Sequence, residues 1–258
     1  MAECIHGFED GMCDICFPRV VAEPEAVTTA SGTRTATRVK KSTRPAGGRT
    51  VVAPGTRVKL PPFASRRLYH VTPLRNLESI LLDGAIRPMA AGLQPDIDLA
   101  APLVRELRAH ADVGDGRTVA EFVPFTVSPD ADRWAELRAG AEEPHWAPVA
   151  RTLSAPDYAV LVAVGRDLGA DLVVADGDAT RPTTQFTIAD PAAGLTRAAR
   201  FDPELAAVEV LVHGEVPIAS LNLIAVANEP VRAKVRRMFQ DVEGVAPKVV
   251  VHPPWFGA

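Results

Sequence analysis

The chain has 258 residues, 47% of them apolar, with a formal net charge of −4 and three cysteines. That is room for one sizeable domain with an appendage, or for two small ones. No run of eighteen apolar residues occurs, and the opening MAECIHGFED has neither a basic nor an apolar leader region; a soluble, cytoplasmic protein without membrane span or secretory signal is expected.

In chain order, residues 1–20 come first, MAECIHGFEDGMCDICFPRV, and they hold every cysteine. An odd count so clustered argues against a disulfide framework. Cys4, His6, Cys13 and Cys16 have the spacing C-x-H-x6-C-x2-C. A C-x2-C turn lets two thiolates converge, and a second pair completes the tetrahedron that structural Zn²⁺ prefers. A small zinc knuckle is expected, closed and therefore structural; the alternative is a tail that carries reduced cysteines.

Residues 21–66 are rich in Thr, Ser, Pro, Gly and basic side chains, with almost no large apolar ones before Val51. Such a segment buries too little apolar surface to offset its ordering entropy, so a flexible linker is expected. From Ala26 to Leu77 there are eleven Lys and Arg and no Asp or Glu. That stretch suits contact with the phosphates of a nucleic acid, although a solvated linker has the same composition.

From residue 67 to 258 the pattern is that of one folded domain. RLYHV reads as a strand. The following TPLRNLESILLDGAI reads as a helix with Thr72 as N-cap, Pro73 at its first position, an apolar stripe of Leu74, Leu77, Ile80 and Leu81, and Gly84 at its end. A second helix is expected over APLVRELRAHA. Strands follow in EFVPFTV, YAVLVAV, DLVVAD, TQFTIA, AVEVLVH and NLIAVA, then a helix after Pro230 and a last strand KVVVH. Helices first and strands afterwards predict an α+β domain.

In AVEVLVH, Val208, Val210 and Val212 alternate as one strand face, which leaves Glu209, Leu211 and His213 on the other. A carboxylate on a strand either faces water or stands in a cleft, because its unpaired burial is costly.

Four strings in order carry a resemblance: RLYHVTPLRNLESILLDGAI with His70, the basic helix leading to VPF, DGDA after a strand, and Glu209 in VEVLV. The chain resembles the DarT-type DNA ADP-ribosyltransferase toxins over about residues 67–230; these read Leu-Tyr-His-Ile-Thr, Val-Pro-Phe-Tyr, Asp-Gly-Asn-Ala and Ala-Glu-Phe-Leu-Val at the matching places. The resemblance implies an ADP-ribosyltransferase-like mixed sheet and transfer of ADP-ribose from NAD⁺ onto bases of single-stranded DNA. It implies Glu209 and Arg108 as catalytic residues, with His70, Thr72 and Arg105 toward the cofactor, and a macrodomain antitoxin as partner.

The chemistry agrees with that role for Glu209. Cleaving the bond between nicotinamide and ribose builds positive charge on the sugar, which a carboxylate bound to the 2-hydroxyl stabilises. Departures are visible too. Where the family has an aromatic residue and then Pro-Arg-Ser-Pro-Met, the chain reads TVSPDADR, so Thr126 replaces the aromatic and Asp130 a basic residue. ELAAVEV also lacks the basic-Gln-Ala lead-in. These departures leave two alternatives: transfer to RNA or protein, or a non-enzymatic zinc-containing nucleic-acid-binding protein.

Overall fold

The structure is a computed structural model that describes residues 60–257, except residue 93 and residues 241–246. Cys4, His6, Cys13 and Cys16, and the linker up to residue 59, lie outside the described residues. Residues 60–66, assigned by composition to the linker, carry a 3₁₀ turn at Phe63–Ser65, and Leu60 and Phe63 pack against the main core.

The elements run β1 (Arg67–Pro73), α1 (Leu74–Asp83), β2 (Ala85–Ile86), α2 (Pro102–His110), β3 (Phe122–Thr126), α3 (Asp132–Arg138), β4 (Tyr158–Val164), β5 (Leu172–Ala175), β6 (Phe186–Ile188), α4 (Pro191–Ala198), β7 (Glu209–His213), β8 (Val216–Pro217), β9 (Leu221–Val226), α5 (Glu229–Met238) and β10 (Lys248–Val251). Among the described residues, eight strands form one mixed sheet in the order β10-β9-β4-β1-β3-β7-β5-β6, and β2 pairs with β8 apart from it. Only the outer pair β9 and β10 is parallel; the other neighbours are antiparallel. The expected α+β class stands.

One sheet face carries Leu68, Phe125, Leu161, Val174, Val210 and Ile224, covered by Leu77 and Leu81 of α1, Leu195 of α4 and Val235 of α5. The opposite face is aromatic toward one end. Tyr69 meets Trp255 edge-on at 5.3 Å, and Trp134 of α3 meets Tyr158 at 5.3 Å and Phe256 at 5.6 Å. Strand alternation puts Glu209 on this second face, because its neighbour Val210 belongs to the first.

The start of α1 differs from expectation. Thr72 is not its N-cap: it lies within β1, buried and paired with Ala159 of β4, and Pro73 takes the cap position with no side-chain hydrogen bond. A residue before proline is pushed toward extended geometry, and here the ladder with β4 continues through Pro73. Gly84 does end α1, with φ +72° in the left-handed region that favours glycine. Helices α3 and α4 were not expected from sequence; they have seven and eight residues, too short for a clear amphipathic period.

Candidate active site

Glu209 is the first residue of β7, flanked by Thr126 of β3 and Ala175 of β5. It is 3% exposed, so the water-facing alternative is eliminated. A carboxylate so buried must be paired. Arg108 of α2 donates from Nη1 at 3.2 Å and from Nη2 at 3.1 Å, both to Oε2. Oε1 accepts a longer bond from the Ala179 amide at 3.4 Å and has the Nε of Arg133 at 3.6 Å.

The two arginines of α2, to which the resemblance gives different roles, have different partners. Arg108 reaches Glu209, whereas Arg105 pairs with Asp98 at 2.8 Å. Arg133, which sequence reasoning did not pick out, pairs with Asp178 at 2.8 Å. Burial works against the charge of Arg133, but the fields of Glu209 and Asp178 outweigh it and hold the guanidinium above its ordinary pKa. Burial likewise disfavours ionised Asp178, yet Arg133 and the bonds from Thr180 hold its carboxyl below the usual range. The result is a cluster of two cations and two anions.

His70 of β1 is half-buried, with Nδ1 2.9 Å from the Pro124 carbonyl oxygen. A carbonyl only accepts, so Nδ1 carries the proton and Nε2 is left as an acceptor. Burial lowers the His70 pKa, and the bond to Pro124 only partly opposes it, so the ring is neutral at pH 7.

Two cavities meet here. The larger, of about 290 Å³, is lined by His70, Thr72, Asn76, Arg105 and Arg108 among others. The smaller, of about 160 Å³, is lined by His70, Thr126, Arg133, Trp146 and Glu209 among others. His70 and Pro124 line both, and the Arg108–Glu209 pair joins a wall of one to a wall of the other. Asn76 exchanges two hydrogen bonds with the backbone of Ile97, both at 2.8 Å, and so fastens that wall of the larger cavity.

The DGDA turn follows β5 as expected and does more than shape a corner, since it supplies both the Ala179 amide and Asp178. Asp130 lines neither cavity and pairs loosely with Arg138 at 3.4 Å. No His, Cys, Asp and Glu group suited to a metal ion occurs among the described residues.

The family profile described as DarT, ssDNA thymidine ADP-ribosyltransferase, matches residues 69–257. No curated protein matches the chain in a sequence search. Among solved structures, Thermus sp. 2.9 DarT in complex with ADP-ribosylated ssDNA is similar with a TM-score of 0.63 and 21% identity, over 74% of this chain and 96% of that one. The same Thermus protein in complex with carba-NAD⁺ gives 0.59 and 21%, over 76% and 99%. Thermosipho africanus DarTG in complex with ADP-ribose gives 0.57 and 18%, over 74% of this chain and 51% of that one. These structures share the fold, and with the profile match across the described domain the chain belongs to the DarT family of ADP-ribosyltransferases.

Proposed function

We propose that this protein transfers ADP-ribose from NAD⁺ to thymidine in single-stranded DNA, with Glu209 as the catalytic carboxylate. The observation that carries this reading is the buried Glu209, paired with Arg108 where the two cavities adjoin. The larger cavity takes the ADP-ribosyl part of NAD⁺. Arg108 and Arg105 serve its diphosphate, where a guanidinium fork matches the oxygens. His70 offers Nε2 to a ribose hydroxyl, and Thr72 lies beside it on the same wall.

The bond from ribose C1′ to the nicotinamide nitrogen breaks with its electron pair leaving on nicotinamide. Positive charge then grows on the sugar, and Glu209, accepting a hydrogen bond from the 2′-hydroxyl, stabilises it most when the charge is greatest. The acceptor atom of the base attacks C1′ as nicotinamide departs, and the proton it carried passes to solvent water. The smaller cavity, beside Glu209, is where the departing ring and the acceptor meet the reacting carbon.

Outside the described residues, we assign residues 1–20 to a Cys4, His6, Cys13 and Cys16 zinc knuckle and 21–59 to a basic arm that adds affinity for the DNA backbone. A macrodomain antitoxin and a cytoplasmic location complete the proposal. No described helix is long and apolar enough to cross a membrane.

Mass spectrometry of short DNA and RNA oligonucleotides incubated with the protein and NAD⁺ tests the reading. One ADP-ribose on thymidine-containing DNA is expected. An adduct on RNA alone would move the acceptor, and NAD⁺ binding without any adduct would point to a protein acceptor. Absence of both binding and adduct would leave a non-enzymatic nucleic-acid-binding protein.

A further inference from the structure

Arg108 directs one N–H from each terminal nitrogen to Oε2 of Glu209. Oε1 is held by two longer contacts, the Ala179 amide and the Nε of Arg133. Arg108 lines the larger cavity, and Arg133 lines only the smaller one, beside Glu209. An anionic ligand in the larger cavity has Arg108 within its lining and Arg133 outside it, so it would draw on Arg108 and leave Arg133 on Glu209. A carboxylate 3% exposed that lost its main cation would be strongly destabilised in its charged form.

Arg133 is built to remain. Its other face rests on Asp178, with which Nη2 forms an ion pair at 2.8 Å. The guanidinium carbon also lies 5.7 Å from the centre of the Trp146 ring, within cation–π reach. Arg133 sits in the first turn of α3, and the amide of Asp132 just before it donates to the Ala206 carbonyl at 3.0 Å. That bond ties α3 to the segment leading into Glu209.

We propose that Arg133 is a positioning residue: anchored by Asp178, it holds the Oε1 side of Glu209 in place while Arg108 turns toward the NAD⁺ diphosphate. The proposal rests on the transferase reading above. It divides labour between the arginines, one exchanged between carboxylate and substrate, the other fixed on the carboxylate throughout.

Three variants test it: Arg133→Met, Arg133→Lys, and Arg133→Met combined with Asp178→Asn. Arg133→Met is expected to lower kcat about tenfold with KM for NAD⁺ within about twofold, the split expected when transition-state stabilisation is lost without loss of substrate binding. Arg133→Lys keeps the charge and recovers part of kcat. The double variant removes the uncompensated Asp178 charge, so its Tm returns toward wild type while kcat stays low. Wild-type kcat in either Met variant would overturn the proposal and reduce the pair to a structural contact.

Crystal structures of wild type and Arg133→Met with carba-NAD⁺ bound, where Arg108 is drawn to the diphosphate, read the same point without turnover. A shifted or doubly placed Glu209 carboxylate in the variant is expected, and an unmoved one overturns the assignment. Failure of wild-type protein to modify any oligonucleotide would instead count against the transferase reading alone.

Discussion

Arg108 and Glu209, 101 positions apart in the chain, meet through two donors on a single carboxylate oxygen. Both are well buried, at 13% and 4% side-chain exposure. The arrangement sets the direction of the carboxylate before substrate arrives, which is how a site avoids reorganising during the reaction. Under the proposed function the pair has two tasks that compete: Arg108 is drawn to an anionic co-substrate, and Glu209 is to stabilise a sugar cation. In the proposal above, Arg133 is the cation that stays beside Glu209 while Arg108 turns to the substrate.

Replacing Glu209 by Gln keeps the volume and removes the charge. Transfer is expected to fall by about 10²–10³-fold, the scale seen when a preorganised electrostatic contact is removed. NAD⁺ binding is expected to survive within a few-fold, since Arg108 is then free for the diphosphate. Single-turnover labelling beside calorimetric NAD⁺ titration separates the two quantities. Normal transfer by this variant would displace Glu209 from its role.

Arg108→Ala leaves a buried carboxylate short of its nearest cation. Breaking such a pair costs about 3–5 kcal/mol in general. Arg133 and the Ala179 amide remain here, so a loss of about 2–3 kcal/mol is expected. For a domain of this size that lowers Tm by roughly 5–10 °C. Arg105→Ala serves as the contrast, because its partner Asp98 is about as exposed as it is and surface pairs contribute about 0–1 kcal/mol. Equal Tm losses from the two variants would contradict the assignment of Arg108.

Much of this arrangement could be read from residue order. The long strands around β1 and β4, the stripe of α1 and its glycine stop, and Glu209 as an out-of-place carboxylate all leave local signals. Arg108 comes through the family resemblance, without a local signal that separates it from Arg105. Arg133 has no such guide, because DRWAELR is a helix of only two turns whose signs are modest: Asp132 in the first turn, and Trp134 and Leu137 three apart as its buried residues. The pairing of Arg133 with Asp178 depends on how α3 and the turn after β5 converge on the sheet, and no local pattern encodes that. Thr72 misled because a polar residue before Pro-Leu satisfies the grammar of a helix start, whereas the ladder with β4 kept it in the strand.

The folded unit includes the segment around Phe63. A methyl group added at Gly165 would fall on the Phe63 carbonyl oxygen and against the Phe63 ring. Gly165→Ala is therefore expected to destabilise by about 1–3 kcal/mol, the usual cost of forcing atoms into packed space. Urea unfolding measures it. A change below about 0.5 kcal/mol would mean that residues 60–66 are not part of the cooperative fold.

His70 makes the stability depend on pH with a definite sign. Its pKa in the folded protein lies below the ordinary 6.5, chiefly because burial disfavours the imidazolium. The unfolded chain therefore binds the proton more readily, and acid favours unfolding through this group. Above pH 6.5 the contribution is nil. It opens as pH falls through 6.5, grows by at most about 1.4 kcal/mol per pH unit, and stops growing below the folded value. His70→Gln keeps a donor for the Pro124 carbonyl but cannot titrate. Urea unfolding of both proteins from pH 8 to pH 5 is expected to give parallel stabilities down to about 6.5 and a widening loss in the wild type below it. Protonation also removes the Nε2 acceptor, so KM for NAD⁺ in the wild type is expected to rise over the same interval. Parallel curves across the whole range would show that His70 is not the desolvated neutral imidazole that its contact with Pro124 implies.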